Sequence, residues 1–255
     1  MSSYGFSQNF DNNNIGSGGF GGGFSYAAMP QIVTAGLVVS LDAALLQSYP
    51  ESGTTWYDLS GNGNNATLVN SPTYTKTNKG ELRFNKTSYQ HATIPDIGSK
   101  TKWTVETWIK YASSPPAGTA PIVTNAYDGS NLNFSLGTND PLSTAVKAGF
   151  FTPGAWHNTT TGVTVIVGNW YHFVGTYDGA TVILYSNNSV AGTLNYVGTP
   201  ASGGEIRIAR RWDAPANDQG NYTDGTIPIV RIYDRALSAS EVTQNYNATK
   251  SRYGL

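Results

Sequence analysis

Glycoside hydrolysis needs two carboxylates about 5 to 9.5 Å apart, which closely spaced acids on one strand would supply. The chain has five Glu, at 51, 81, 106, 205 and 241, and none has another acid two residues away. Glu106 falls in a strand pattern that carries a Trp on each face, with Thr104 and Trp108 on its own side. A lone acid there lacks the partner the mechanism requires, so it reads as a structural carboxylate. His91, His157 and His172 are scattered without a His-x-x-x-His pair, no Gly-x-Ser-x-Gly is present and there is no Cys. Zinc sites, serine elbows, thiol nucleophiles and disulfides therefore drop out. The expectation is a protein that is not an enzyme.

Binding chemistry is easier to find. The stretch from Arg210 to Gly225 is long and polar, and it sets Trp212 and Tyr222 beside Asp213, Asn217 and Asp218. An aromatic plane flanked by carboxylate and amide groups suits a sugar ring, and loops of this length are often functional. Trp156 and Asn158, with His157 between them, are candidates for a second wall. Subunit packing uses the same residue types and stays open as the alternative. The segment Trp56-Tyr-Asp-Leu-Ser-Gly-Asn-Gly-Asn-Asn65 reads as a tight turn, with Trp56 and Leu59 expected to face the core. Its Asp58 is the candidate oxygen ligand for Ca2+, although the spacing does not match a helix-loop-helix calcium site. No other cofactor is expected.

These groups must be positioned by strands. At 255 residues with 29 Gly, 16 Tyr and 12% charged residues, the composition favours short strands and turns over long helices. Period-two alternation marks strands at 37–42, 82–84, 92–94, 103–110, 122–127, 132–136, 146–151, 163–167, 170–177, 181–185, 206–209 and 227–233. Asp178-Gly179 predicts a hairpin between two of them. The one helix signal is late: Ser238 and Glu241 form a capping box, and Leu237 and Val242 a hydrophobic staple. Many short strands with closely spaced turn signals imply an all-β, two-sheet antiparallel jelly-roll sandwich with a short C-terminal helix. Residues 1–31 read instead as an extended Gly- and aromatic-rich N-terminal arm, and 32–255 as the jelly-roll domain. Tyr4, Phe6, Phe10, Phe20, Phe24 and Tyr26 are its candidate assembly anchors. The net charge of −1, with no Lys/Arg block, argues against nucleic acid and anionic membranes as partners. No export signal precedes the first basic residue, Lys76, and no apolar run is long enough to insert in a bilayer.

Several motifs agree on one family. Gly36-Leu-Val-Val-Ser-Leu-Asp-Ala43, Thr55-Trp-Tyr-Asp-Leu-Ser-Gly-Asn-Gly-Asn-Asn-Ala-Thr-Leu68, Thr104-Val-Glu-Thr-Trp-Ile109, Trp170-Tyr-His-Phe-Val-Gly-Thr-Tyr-Asp-Gly179 and Val230-Arg-Ile-Tyr-Asp-Arg-Ala-Leu-Ser-Ala-Ser-Glu-Val242 resemble the laminin G-like, concanavalin A-like jelly roll. The ending Gln244-Asn-Tyr-Asn-Ala-Thr-Lys-Ser-Arg-Tyr-Gly-Leu255, with Ser52-Gly-Thr-Thr-Trp-Tyr-Asp-Leu59, is most similar to versions of this domain in tailed-bacteriophage virion proteins. The resemblance implies two curved sheets and carbohydrate or cell-surface binding, sometimes with Ca2+. Where many members carry an Asp-Glu pair, this chain has Pro228-Ile229, which removes two oxygen ligands and suggests a remodelled edge strand. The reading is a non-enzymatic virion structural protein (capsid decoration, collar, tail or fibre), made in the host cytoplasm without a signal peptide. Its expected partners are other virion proteins through the arm, further copies of itself and a host-surface glycan. A soluble carbohydrate-binding lectin module and a glycan-degrading enzyme are the alternatives.

Overall fold

Alternation of apolar and polar residues every second position is what the structure uses to build two layers. Numbered in chain order, one eight-stranded antiparallel sheet, sheet A, holds β1 (Leu37–Asp42), β4 (Thr73–Thr75), β5 (Glu81–Phe84), β7 (Trp103–Tyr111), β12 (Trp170–Tyr177), β13 (Thr181–Ser186), β14 (Ser189–Asn195) and β16 (Gly225–Tyr233). Sheet B holds β2 (Thr55–Trp56), β3 (Ala66–Val69), β6 (His91–Ile94), β8 (Ala120–Asp128), β9 (Asn131–Thr138), β10 (Lys147–Thr152), β11 (Ala155–Asn158) and β15 (Ile206–Ile208). The order in sheet A is β14-β13-β12-β7-β16-β5-β4, with β1 beside β16, and in sheet B β11-β10-β9-β8-β15-β6-β3-β2. This is a computed structural model, and it describes residues 31–255 apart from 118–119, 129–130, 139–142, 153 and 212–217, with the side chains of 126–128 and 131 also excluded. The expected anchors Tyr4, Phe6, Phe10, Phe20, Phe24 and Tyr26 lie outside the described residues.

The core between the sheets takes Val39 and Leu41 from β1, Trp103, Val105 and Ile109 from β7 and Val230 and Ile232 from β16. Sheet B answers with Leu68, Ala92, Ile208, Val123, Leu136 and Ala148. The two-sheet jelly roll expected from the sequence is the fold observed. The predicted hairpin is also present: Tyr177 pairs with Val182, and Asp178 Oδ1 accepts the N–H groups of Ala180 and Thr181 at 2.8 Å each.

Four expectations need correction. Of 163–167 only Val163 bridges, to Val146; Ile166 is 64% exposed because the chain turns away there at Gly168. Trp56 is fully buried as expected, but Leu59 is 39% exposed, because the turn points Asp58 at β1 instead. Pro228 sits on no edge: β16 is central, and the proline occupies the register shift between Thr226 and Ile229, where no ladder N–H is required. Strands β2, β3, β4, β11 and β14 were missed, being short or carrying few apolar residues.

Ser238 and Glu241 make both arms of the capping box, which starts the helix α1 (Ala239–Thr249), and Leu237 and Val242 share one apolar cluster. The helix lies on the outer face of sheet A, where Trp108 donates from Nε1 to Thr249 Oγ1 at 2.9 Å and packs against Tyr246 and Tyr253. Beneath it, fully buried Glu106 takes hydrogen bonds from Arg231 Nη1 at 2.7 Å, His172 Nε2 at 3.0 Å and Asn245 Nδ2 at 2.5 Å. Glu106 is thus the satisfied structural carboxylate expected. Burial pushes its carboxyl up, but the Arg231 charge and the hydrogen bonds from His172 and Asn245 outweigh this and hold the pKa at about 2 against 4.5.

A depressed carboxyl pKa stabilises the fold above the unfolded value and loses that contribution as pH falls through the folded one. Glu106 is therefore expected to contribute about 3 kcal/mol at neutral pH, lost between roughly pH 4.5 and pH 2. Glu106→Gln, which leaves the Arg231 charge buried without its counter-ion, should cost about 3–5 kcal/mol at pH 7 and flatten the acid dependence. Urea melts across that pH range check both outcomes.

Candidate functional site

The pairing register of sheet B aligns one residue from each strand into a row: Thr55, Thr67, Thr93, Arg207, Thr124, Ser135, Gly149 and Asn158. The adjacent row, Leu68-Ala92-Ile208-Val123-Leu136-Ala148, points into the core, so the first row faces outward. At ~4.8 Å per strand it crosses roughly 34 Å. It offers hydroxyls, an amide and one guanidinium, and none of its eight positions is a carboxylate. Thr124 and Ser135, at the centre, are fully buried, while Thr67 is exposed and Thr93, Arg207 and Asn158 are half-buried. The accessible polar groups therefore lie toward the two ends. Among the described residues, Thr124 Oγ1 and Asn158 Oδ1 are buried with no hydrogen-bond partner.

At one end, Trp156 and Asn158 share the outward face of β11. Trp156 meets Phe151 edge-on with ring centroids 5.6 Å apart, and both pack with Leu132. Gly149 is required opposite Asn158, since a Cβ there would lie 2.2 Å from Asn158 Oδ1 and 2.4 Å from His157 O. The aromatic and the amide singled out in the sequence are thus brought to one face. Phe151 and Arg207 were missed as site residues. The alternation of 146–151 could have found Phe151, but nothing local marks Arg207.

Where the chain leaves β15, between β8 and β6 in the sheet order, a stem joins Ala209 to Thr223 and Arg211 to Asn221 by backbone hydrogen bonds, with the Arg210–Tyr222 bridge between them. Tyr222 is 1% exposed: its ring lies edge-on against Tyr89 and His91, and the Arg210 guanidinium sits 5.6 Å from its centre. It braces the stem and presents no open ring face. Asp218 spends its carboxylate locally, Oδ1 accepting Gly220 N at 3.0 Å and Oδ2 accepting Asn221 Nδ2 at 2.5 Å. Trp212, Asp213 and Asn217 lie outside the described residues. His91 bonds Tyr89 O through Nδ1 at 3.0 Å and faces Arg210 Nη1 at 3.4 Å. Burial, seconded by the Arg210 and Arg207 charges, holds its pKa below the ordinary value despite the Tyr89 bond, so the imidazole is neutral at physiological pH.

The residues do not fit the Ca2+ that the family resemblance implied. Asp58 Oδ1 accepts Ser40 N at 2.8 Å and Ser60 N at 2.9 Å, while Oδ2 accepts Ser60 Oγ at 2.7 Å and Asn64 N at 3.0 Å. Both oxygens are consumed in stitching the turn to β1. Asn64 Nδ2, donating to Val38 O at 2.9 Å, adds a further stitch. Among the described residues no group of three or more His, Asp or Glu could hold a metal.

A two-sheet antiparallel sandwich with a polar, aromatic-flanked outer sheet face defines a lectin-like jelly roll. The chain belongs to the concanavalin A-like lectin/glucanases superfamily, whose laminin G-type profile matches residues 85–243. Solved structures agree on the fold. Domain 4 of AbnA, a GH43 extracellular arabinanase from Geobacillus stearothermophilus in complex with arabinotriose, superposes with a TM-score of 0.62 at 19% identity, covering 83% of this chain and 98% of that one. The binding domain of Paraclostridial mosquitocidal protein 1 gives 0.63 at 16% identity, over 84% and 52% of the two chains. Trypanosoma rangeli sialidase in complex with sialic acid gives 0.59 at 17% identity, over 89% and 34%. The chain therefore spans nearly all of the arabinanase domain, about half of the toxin binding domain and a third of the sialidase. No curated protein sequence matches it.

Asp58→Ala should lower stability by about 2–3 kcal/mol by leaving the N–H groups of Ser40, Ser60 and Asn64 without their acceptor. Millimolar Ca2+ or a chelator should leave the melting temperature of the wild-type protein unchanged. Thermal melts of both proteins with and without Ca2+ check this.

Proposed function

We propose that this chain is a non-enzymatic adhesion protein: a glycan-binding jelly roll carried on a tailed-phage particle, as capsid decoration, collar, tail or fibre. The observation that carries the binding half is the outward row of sheet B, which ends in Asn158 beside the Trp156–Phe151 pair. Hydroxyls and an amide bond sugar hydroxyls, and the indole packs on the apolar face of a ring. The glycans held by the arabinanase domain and the sialidase in their own complexes support this reading without identifying the ligand of this chain. The non-enzymatic half is supported by the row's lack of a carboxylate and by Glu106, whose two oxygens are already bonded under α1.

The virion half is supported by the similarity of Ser52–Leu59 and Gln244–Leu255 to phage virion versions of the domain. The arm, residues 1–31, would join the particle and further copies of the chain, and the protein would be made in the host cytoplasm.

A glycan array probed with the intact protein is expected to show selective signals that fall at least about tenfold with Trp156→Ala, with the melting temperature checked in parallel. Uniform silence on the array, or hydrolysis of any arrayed glycan, contradicts the reading. Deleting residues 1–30 separates a virion component from a free lectin. Incorporation into particles should be abolished while array binding persists; normal incorporation would remove the arm's role.

A further inference from the structure

A cavity of about 430 Å³ opens at the end of sheet A where β7 and β12 meet, lined by Gly168, Asn169, Trp170, Tyr171, Asn187, Tyr253 and Leu255. It is a different surface from the outer face of sheet B. Every side chain lining it is uncharged, and three are aromatic. Two turns hold its polar groups in place. In the β13–β14 hairpin, Asn187 and Asn188 both take positive φ, 46° and 67°, a conformation asparagine tolerates. Asn187 is pinned reciprocally: its N–H donates to His172 O at 2.9 Å and its Oδ1 accepts His172 N at 2.8 Å. The Oδ1 is thereby used, and the Nδ2 donors have no partner among the described residues. The second turn, Ile166–Asn169, is braced by Tyr171 Oη, which accepts Ile166 N at 2.8 Å. Asn169 is exposed, and its side-chain amide makes no hydrogen bond among the described residues.

Trp170 stands between them. Its ring lies 4.5 Å from that of Tyr253 and 4.7 Å from Lys110 Nζ, so its orientation is set by packing. The result is one fixed amide, that of Asn187, and one free amide, that of Asn169, on either side of a fixed aromatic. A ligand that fits must offer several acceptor oxygens, an apolar C–H surface and no net charge, and it must be small enough for a cavity of this volume. We infer that this cavity is a second saccharide site, for one or two uncharged sugar units, held by Asn169, Asn187 and Trp170. With two separate sites, weak single-site affinities would add as avidity on a glycan-coated surface.

The chain has six Trp, and each indole N–H gives its own cross-peak in a 15N correlation spectrum. Trp170 and Trp156 thus report the two surfaces separately. The intact labelled protein would be titrated with the methyl glycosides of glucose, galactose and N-acetylglucosamine and with arabinotriose, to concentrations on the order of 10 mM. The expected result is a saturable shift of the Trp170 indole and of the Asn169 and Asn187 side-chain amides with at least one sugar. Asn169→Ala, an exposed position without side-chain bonds in the described protein, should weaken that titration about tenfold and leave the melting temperature unchanged. Trp156→Ala should leave it intact. An immobile Trp170 indole with all four sugars, or a titration unaltered by Asn169→Ala, overturns the second site. If Trp156 alone moves, this inference falls while the sheet B reading stands; if Trp170 alone moves, the reverse holds.

Discussion

One buried carboxylate fastens helix α1 to sheet A. Glu106 is fully excluded from water, and an ion in that position is tolerable only when it is paired and hydrogen-bonded. Its partners come from three other elements: Arg231 from β16, His172 from β12 and Asn245 from α1. Asn245 carries the connection outward, its Oδ1 accepting Val33 N at 2.8 Å and its Nδ2 reaching Tyr233 Oη at 2.9 Å. Tyr233 Oη closes the circuit on Val33 O at 3.0 Å. The segment entering the domain, the central strands and the C-terminal helix are therefore fixed by one charge-centred network. Hydrophobic contact under α1 would be satisfied by many rotations of the helix, but this network accepts one.

That use of sheet A divides the labour between the layers. Helix α1 and the ring stack of Trp108, Tyr246 and Tyr253 cover its central outer face, and the cavity beside Trp170 lies at the margin of that cover. The outward row of sheet B is built of Thr, Ser, Gly, Asn and Arg, with the apolar Leu132, Phe151 and Trp156 clustered at its β11 end. The same alternation that fills the core with Leu68, Ile208, Val123 and Leu136 thus presents polar atoms on the reverse side of the same strands. Core and polar outer face are two sides of one sequence pattern.

Legibility followed the range of the forces involved. The hairpin at Asp178-Gly179, the capping box of α1 and the structural role of Glu106 are all readable, because each rests on neighbours within a few residues or on a missing partner. Leu59, Pro228 and Tyr222 were misjudged for one shared reason: what faces them comes from far along the chain. Leu59 is turned out because Asp58 is drawn to the backbone of Ser40. Pro228 is enclosed by β7 and β1 and survives at a bulge. Tyr222 is a candidate sugar contact from the sequence, but Tyr89, in the turn before β6, and His91, at the start of β6, pack on its ring.

By itself the sequence determined the all-β class, the family resemblance, most of the strands and the late helix, since alternation and turn chemistry are local properties. Only the tertiary structure decided that eight residues scattered between positions 55 and 207 stand in one row, and that Asn169, Trp170 and Asn187 surround one cavity. Strand order and register are set by which buried faces fit together across the whole chain, and that is a property no short window of sequence contains.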